Sequence, residues 1–156
     1  MDIHEERATQ IYKRILHEVL EPVLGKTTTY STDLLNMGKR VLGNKFKGVF
    51  ASDKIPQLTD SQPYAILNLD TSTQTGSHWL SIAKIPNQRK IIMHDTFARK
   101  TKKIIPALLN SNNGKIVHAD LSDKEQTVSE ENCGAQALAF LCLFEYFGGY
   151  SVAKLI

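Results

Sequence analysis

Ala137–Phe144 is the longest unbroken apolar run of the chain, at eight residues. Together with Ala135 it places apolar side chains on nearly every side of a helix, and such a helix is stable only when it is surrounded. The run is far shorter than the roughly 20 residues that cross a bilayer. It is therefore expected to form the buried central helix of a folded domain, starting near Cys133 and ending at Gly148-Gly149. The rest of the chain can surround it. A protein of 156 residues typically buries roughly 70% of its unfolded surface, so folding needs no disulfide or metal. With 42% hydrophobic and 22% charged residues, disordered, collagen-like and coiled-coil classes are excluded. Met1–Arg7 is charged, without an apolar stretch, so no secretory leader is expected. The two cysteines point to a reducing compartment. On one helix, Cys133 and Cys142 would stand roughly 13 Å apart, too far to bridge.

Around this helix the periodicity predicts an α+β domain spanning 1–156. Residues 5–24 read as an amphipathic helix through Ala8, Ile11, Ile15, Val19 and Val23, stopped by Gly25. A second helix follows Ser31 or Thr32 and carries Leu34, Leu35, Val41 and Leu42 as far as Gly43. Strands are expected over Tyr64–Leu69, Trp79–Ile85 and Lys90–His94, the last two joined by the turn Pro86–Arg89. A short helix near Ile104–Asn110, a turn at Asn112–Gly114 and a strand Lys115–Ala119 precede the central helix. The order predicts a small, largely antiparallel sheet flanked by helices.

Cys133 is the leading candidate for chemistry. It lies where the polar Glu131-Asn132 gives way to the apolar helix, and the positive end of a helix macrodipole favours a thiolate. Such placements lower a thiol pKa from about 8.5 to between ~3.5 and ~7.5. Gly134 leaves the backbone open to a substrate. The same cysteine also suits a small buried packing site, the role assigned to Cys142. A nucleophilic thiol needs a base and a group to orient it. If Ile85 pairs with Lys90, Leu80 lies opposite Asp95, and His78 becomes Asp95's diagonal neighbour, roughly 7–8 Å away on the same face. A slip of one residue would separate them. His94 should point to the other face, His4 and His17 belong to the polar side of the first helix, and His118 sits alone. No metal-ligand spacing or glycine-rich phosphate loop is present, so no metal or cofactor is expected.

Four segments in order resemble the adenovirus-protease family of cysteine proteases, which includes the enzymes that process ubiquitin-like proteins. They are Gly76-Ser77-His78-Trp79, His94-Asp95-Thr96-Phe97-Ala98-Arg99, Gln126, and Asn132-Cys133-Gly134-Ala135. Upstream, the segment from Phe46 to Pro56 resembles viral and transposon-encoded members, and Tyr64–Asn68 resembles the strand before the histidine loop. The resemblance covers roughly Phe46 to Phe144, within a catalytic core of 46–156, and leaves the helical part, 1–45, without a specific match. It implies Cys133 as nucleophile, His78 as general base and acid, Asp95 as the group orienting His78, and Gln126 as an oxyanion donor beside the Cys133 N–H. Trp79 would wall the substrate cleft, although a strand tryptophan also suits a core.

The function this implies is a cysteine endopeptidase that matures capsid precursors of a DNA virus, virophage or related mobile element at Gly-Gly-X or Gly-X-Gly sites. It would act as a monomer in the virion and host-cell interior. The alternatives are a protease of ubiquitin-like tails and a non-catalytic interaction domain on the same fold. The peptide and DNA activation of the adenovirus enzyme is not expected to carry over. The net charge of +3, with basic clusters at Lys45/Lys47 and Arg99–Lys103, permits a weak DNA contact and does not announce one. No membrane partner is expected.

Overall fold

A computed structural model describes residues 3–25, 31–68, 79–94, 115–118 and 133–147. Helix α1 (Ile3–Arg14) passes into a π-helical segment (Ile15–Leu20) and a final α-helical turn, α2 (Glu21–Leu24). Pro22 accounts for the change. It has no N–H to donate, and its ring crowds the carbonyl four residues back, that of Glu18. The wider turn just upstream, where the Glu21 N–H donates to the Leu16 carbonyl, accommodates it. Gly25, at φ 81°, ends the run as expected.

The buried stripe of this run is Ala8, Tyr12, Leu16 and Leu20. Ile11 and Ile15 lie half-buried at its edge, and Val19 and Val23 are exposed. The expected stripe is therefore displaced by one residue. Four-residue steps drift around a helix of about 3.6 residues per turn, and the π-helical turn takes up that drift.

Helix α3 (Ser31–Leu42) turns Leu34, Met37 and Leu42 inward. Gly38 shares that face because the Phe46 ring presses on it; a Cβ there would stand 2.3 Å from the ring. Gly43, at φ 63°, leads through a 3-10 turn (Gly43–Lys45) into the sheet.

Five strands follow one another across the sheet in chain order: β1 (Phe46–Ala51), β2 (Tyr64–Asn68), β3 (Trp79–Lys84), β4 (Lys90–His94) and β5 (Lys115–His118). The β2–β3 and β3–β4 pairs are antiparallel, whereas β1–β2 and β4–β5 are parallel. The class is α+β. The antiparallel expectation describes the three central strands, and the two edges make the sheet mixed. β1 has no counterpart among the expected strands. Its register with β2 shifts between Phe46 and Gly48, and Gly48 has φ 147°, so the segment carries a bulge glycine that reads locally as a break.

In the β3–β4 hairpin, Ser81 faces His94 and Lys84 faces Ile91, the expected register. Gln88 N–H donates to the Ile85 carbonyl at 3.2 Å, closing a turn on Pro86 and Asn87. Proline followed by a residue at φ 61° matches a type II turn.

Helix α4 (Cys133–Tyr146) lies between the sheet and the N-terminal helices, packed on β3, β2, the π-helical segment, α1 and α3. This is the surrounded position that its apolar circumference requires. Its Leu138, Phe140 and Phe144 share a core with Ile66, Ala83 and Ile92 of the sheet. The opposite sheet face buries Leu67, Leu80, Ile82 and Met93 against Leu58. With both faces covered, the central strands read as near-continuous apolar runs. The expected helix at Ile104–Asn110, the Asn112–Gly114 turn and the Gly148-Gly149 stop lie outside the described residues. No helix among the described residues is long and apolar enough to cross a membrane.

Candidate active site

Two sets of contacts define the direction of α4. Near its C-terminus, the Phe144 ring meets Tyr64 edge-on with centroids 5.8 Å apart. There the Glu145 carboxylate accepts hydrogen bonds from the Tyr64 hydroxyl and the Lys45 ammonium. Closer to the N-terminus, His94 stacks on Phe140 with ring centroids 4.4 Å apart and planes 4° from parallel. Tyr12 stands edge-on to His94 at 6.4 Å, and its hydroxyl donates to the Gln136 carbonyl at 3.4 Å. The helix therefore begins toward the end of the sheet where β3 starts at Trp79 and β4 finishes at His94. Asn68, opposite Trp79, marks the same end on β2.

Cys133 opens α4, two turns before Phe140, or about 10 Å along the axis. The helix start thus falls at the residue its sequence boundary indicated. Asn132 lies outside the described residues, as do the three other predicted catalytic residues: His78, Asp95 and Gln126. Trp79 and Gly134 are described, and both are buried. Trp79 packs into the core shared with α4, the core role that its strand position allowed. Leu80, expected from the sequence to share a face with His78 and Asp95, lies on the sheet face opposite α4.

Cys142 is a packing cysteine. Burial, reinforced by the nearby Glu145 carboxylate, pushes its thiol up to about 12, so it stays protonated at neutral pH. Burial and the hydrogen bond to Glu145 likewise push the Tyr64 hydroxyl upward. Of the basic clusters, Lys45 pairs with Glu145, and the Lys47 ammonium donates to the Gln57 carbonyl at 3.0 Å. The Arg99–Lys103 cluster lies outside the described residues. His17 is on the exposed side of its helix, with Nδ1 2.6 Å from the Glu21 carboxylate. Among the described residues, no three histidine, cysteine or acidic side chains gather as a metal site.

The structure also collects polar groups to which sequence reasoning gave no role in the site. Asn68, Ser81, His94 and Gln136 are all buried, at or near the sheet end where α4 begins. Among the described residues, the fully buried Gln136 amide and Ser81 hydroxyl meet no hydrogen-bond partner. Gln136 had a legible signal, as the lone amide within the apolar stretch Ala135–Phe144. Tyr12 had none, because its membership in the buried stripe depends on the π-helical turn. The chain matches no model of a known protein family, and no curated protein matches it.

Proposed function

We propose that this protein is a cysteine endopeptidase with Cys133 as nucleophile, His78 as general base and acid, and Asp95 orienting His78. One observation carries the reading. The N-terminus of α4, opened by Cys133, is directed toward the sheet end where the chain enters β3 from His78 and leaves β4 into Asp95. Segments distant in sequence are thereby brought to one region. The helix N-terminus favours the thiolate, and the partly buried Cys142, its thiol pushed up, stays protonated and makes a poorer nucleophile.

His78 takes the Cys133 proton, and the thiolate attacks the scissile carbonyl. Gln126 and the Cys133 N–H stabilise the oxyanion. His78 then protonates the leaving amine, and water releases the acyl-enzyme. The reading imposes a geometric demand. Because Leu80 faces away from α4, the His78 and Asp95 side chains must leave strict strand alternation to meet the thiol.

The substrates proposed from the family resemblance are capsid precursors with glycine before the cut, processed by a monomer in the virion and host-cell interior. Cleavage profiling of a peptide library with the full chain tests both levels. Wild-type protein should cut after glycine-rich stretches, and Cys133→Ala should abolish cutting without changing the fold. Equal cleavage after bulky residues refutes the glycine preference. Activity retained in Cys133→Ala refutes the mechanism.

A further inference from the structure

We infer that Tyr12 is a positioning residue for the nucleophile helix, through which the N-terminal helix sets the reactivity of Cys133. The inference rests on the peptidase reading and adds a role for residues 1–45, where the resemblance has no match. Three contacts carry it. The Tyr12 hydroxyl donates to the backbone carbonyl of Gln136, one turn into α4. The Tyr12 ring stands edge-on to His94, and His94 stacks on Phe140, one turn further along the same helix. A single side chain of α1 thus holds the opening turns of α4 directly and through β4.

The physical consequence lies in the helix terminus. The first N–H groups of α4 have no intrahelical acceptor, and their alignment stabilises negative charge beside Cys133. Pinning the Gln136 carbonyl to α1 resists fraying of that turn. Without the pin, the first turn opens more often, and the thiolate loses part of its stabilisation.

The test measures Cys133 alkylation by iodoacetamide against pH, read peptide by peptide in the full chain, for wild type, Tyr12→Phe and Tyr64→Phe. Tyr12→Phe keeps the ring and deletes only the hydroxyl. Its alkylation midpoint should rise by about half a pH unit, a roughly threefold loss of rate below the midpoint. Peptidase kcat should fall by a similar factor with KM little changed. Tyr64→Phe deletes a hydroxyl that contacts the other end of α4, so it should lower the melting temperature and leave the alkylation profile unchanged. An unaltered profile in Tyr12→Phe, or the same shift in both variants, overturns the inference alone. A wild-type Cys133 no more reactive than a free thiol overturns the peptidase reading and this inference with it.

Discussion

The two ends of α4 are built on opposite principles. At the C-terminal end, every polar group named above has a partner: Glu145 takes both the Tyr64 hydroxyl and the Lys45 ammonium, and Phe144 meets the Tyr64 ring. At the N-terminal end, aromatic rings from three elements converge, yet Gln136 and Ser81 are buried with polar atoms unmatched among the described residues. Burying an unpaired polar group costs about 1–3 kcal/mol. Among the described residues, the C-terminal end thus pairs its polar groups, whereas the N-terminal end leaves the Gln136 amide and the Ser81 hydroxyl unmatched. Such a local cost is characteristic of functional regions, where rules obeyed elsewhere in a fold are broken. The contrast supports the proposal that the chemistry lies at the end that Cys133 opens.

The largest effect should come from the cysteines, one near each end. Cys133→Ala should remove all peptidase activity, because alanine lacks the sulfur and preserves the helix. Cys142→Ala should retain activity and lose some packing. Parallel turnover assays on the two variants check this, and the reverse pattern would move the site to the C-terminal end.

Phe140→Ala should be the most destabilising substitution at the N-terminal end, by about 3–5 kcal/mol. It empties a fully buried position and removes the surface on which His94 stacks. Urea unfolding measures the loss. A cost below about 1 kcal/mol would mean that the stack does not hold α4 against β4.

Glu145→Ala strikes the satisfied end. It strands the Tyr64 hydroxyl and frees Lys45, at a cost of about 2 kcal/mol. Activity at a permissive temperature should be unaffected, and a selective loss of turnover would erase the contrast between the ends.

Gln136→Met tests the unsatisfied end from the other direction. Methionine has nearly the shape of glutamine and no amide to desolvate, so the variant should be more stable by about 1–2 kcal/mol. Destabilisation would show that the amide is paired in solution.

The smallest effect is a pH dependence confined to the C-terminal end. An ordinary thiol titrates near 9.0, and Cys142 is pushed up to about 12. Between these values the unfolded chain loses the proton and the folded chain keeps it, so stability falls as pH rises. Tyr64, also shifted upward, adds to the fall at higher pH. Urea midpoints at pH 8 and 10 should differ less in Cys142→Ala than in wild type. An identical difference would assign the alkaline loss elsewhere.

Much of the fold was legible because its signals are local. The apolar circumference of Ala135–Phe144 demands a surrounded helix, Gly25 and Gly43 end helices, and the Pro86–Arg89 turn holds the hairpin in register over Ser81–Lys84 and Ile91–His94. Cys133 at the start of α4 belongs to the same group, since a polar-to-apolar boundary marks a helix end.

Tertiary structure alone decided the rest. The parallel pairings of β1 with β2 and of β4 with β5 join segments without a tight turn, so no adjacent residues encode them. The buried stripe moved to Tyr12, Leu16 and Leu20 because Pro22 widens the helix upstream. The choice of sheet face for α4 was equally non-local. Both faces of β2, β3 and β4 are apolar, and only packing determines which face α4 covers and which closes under Leu58. That choice sets His94 against Phe140 and Tyr12 against the first turns of α4. Helical and strand periods follow from backbone geometry a few residues at a time, whereas a face is chosen by the whole core at once.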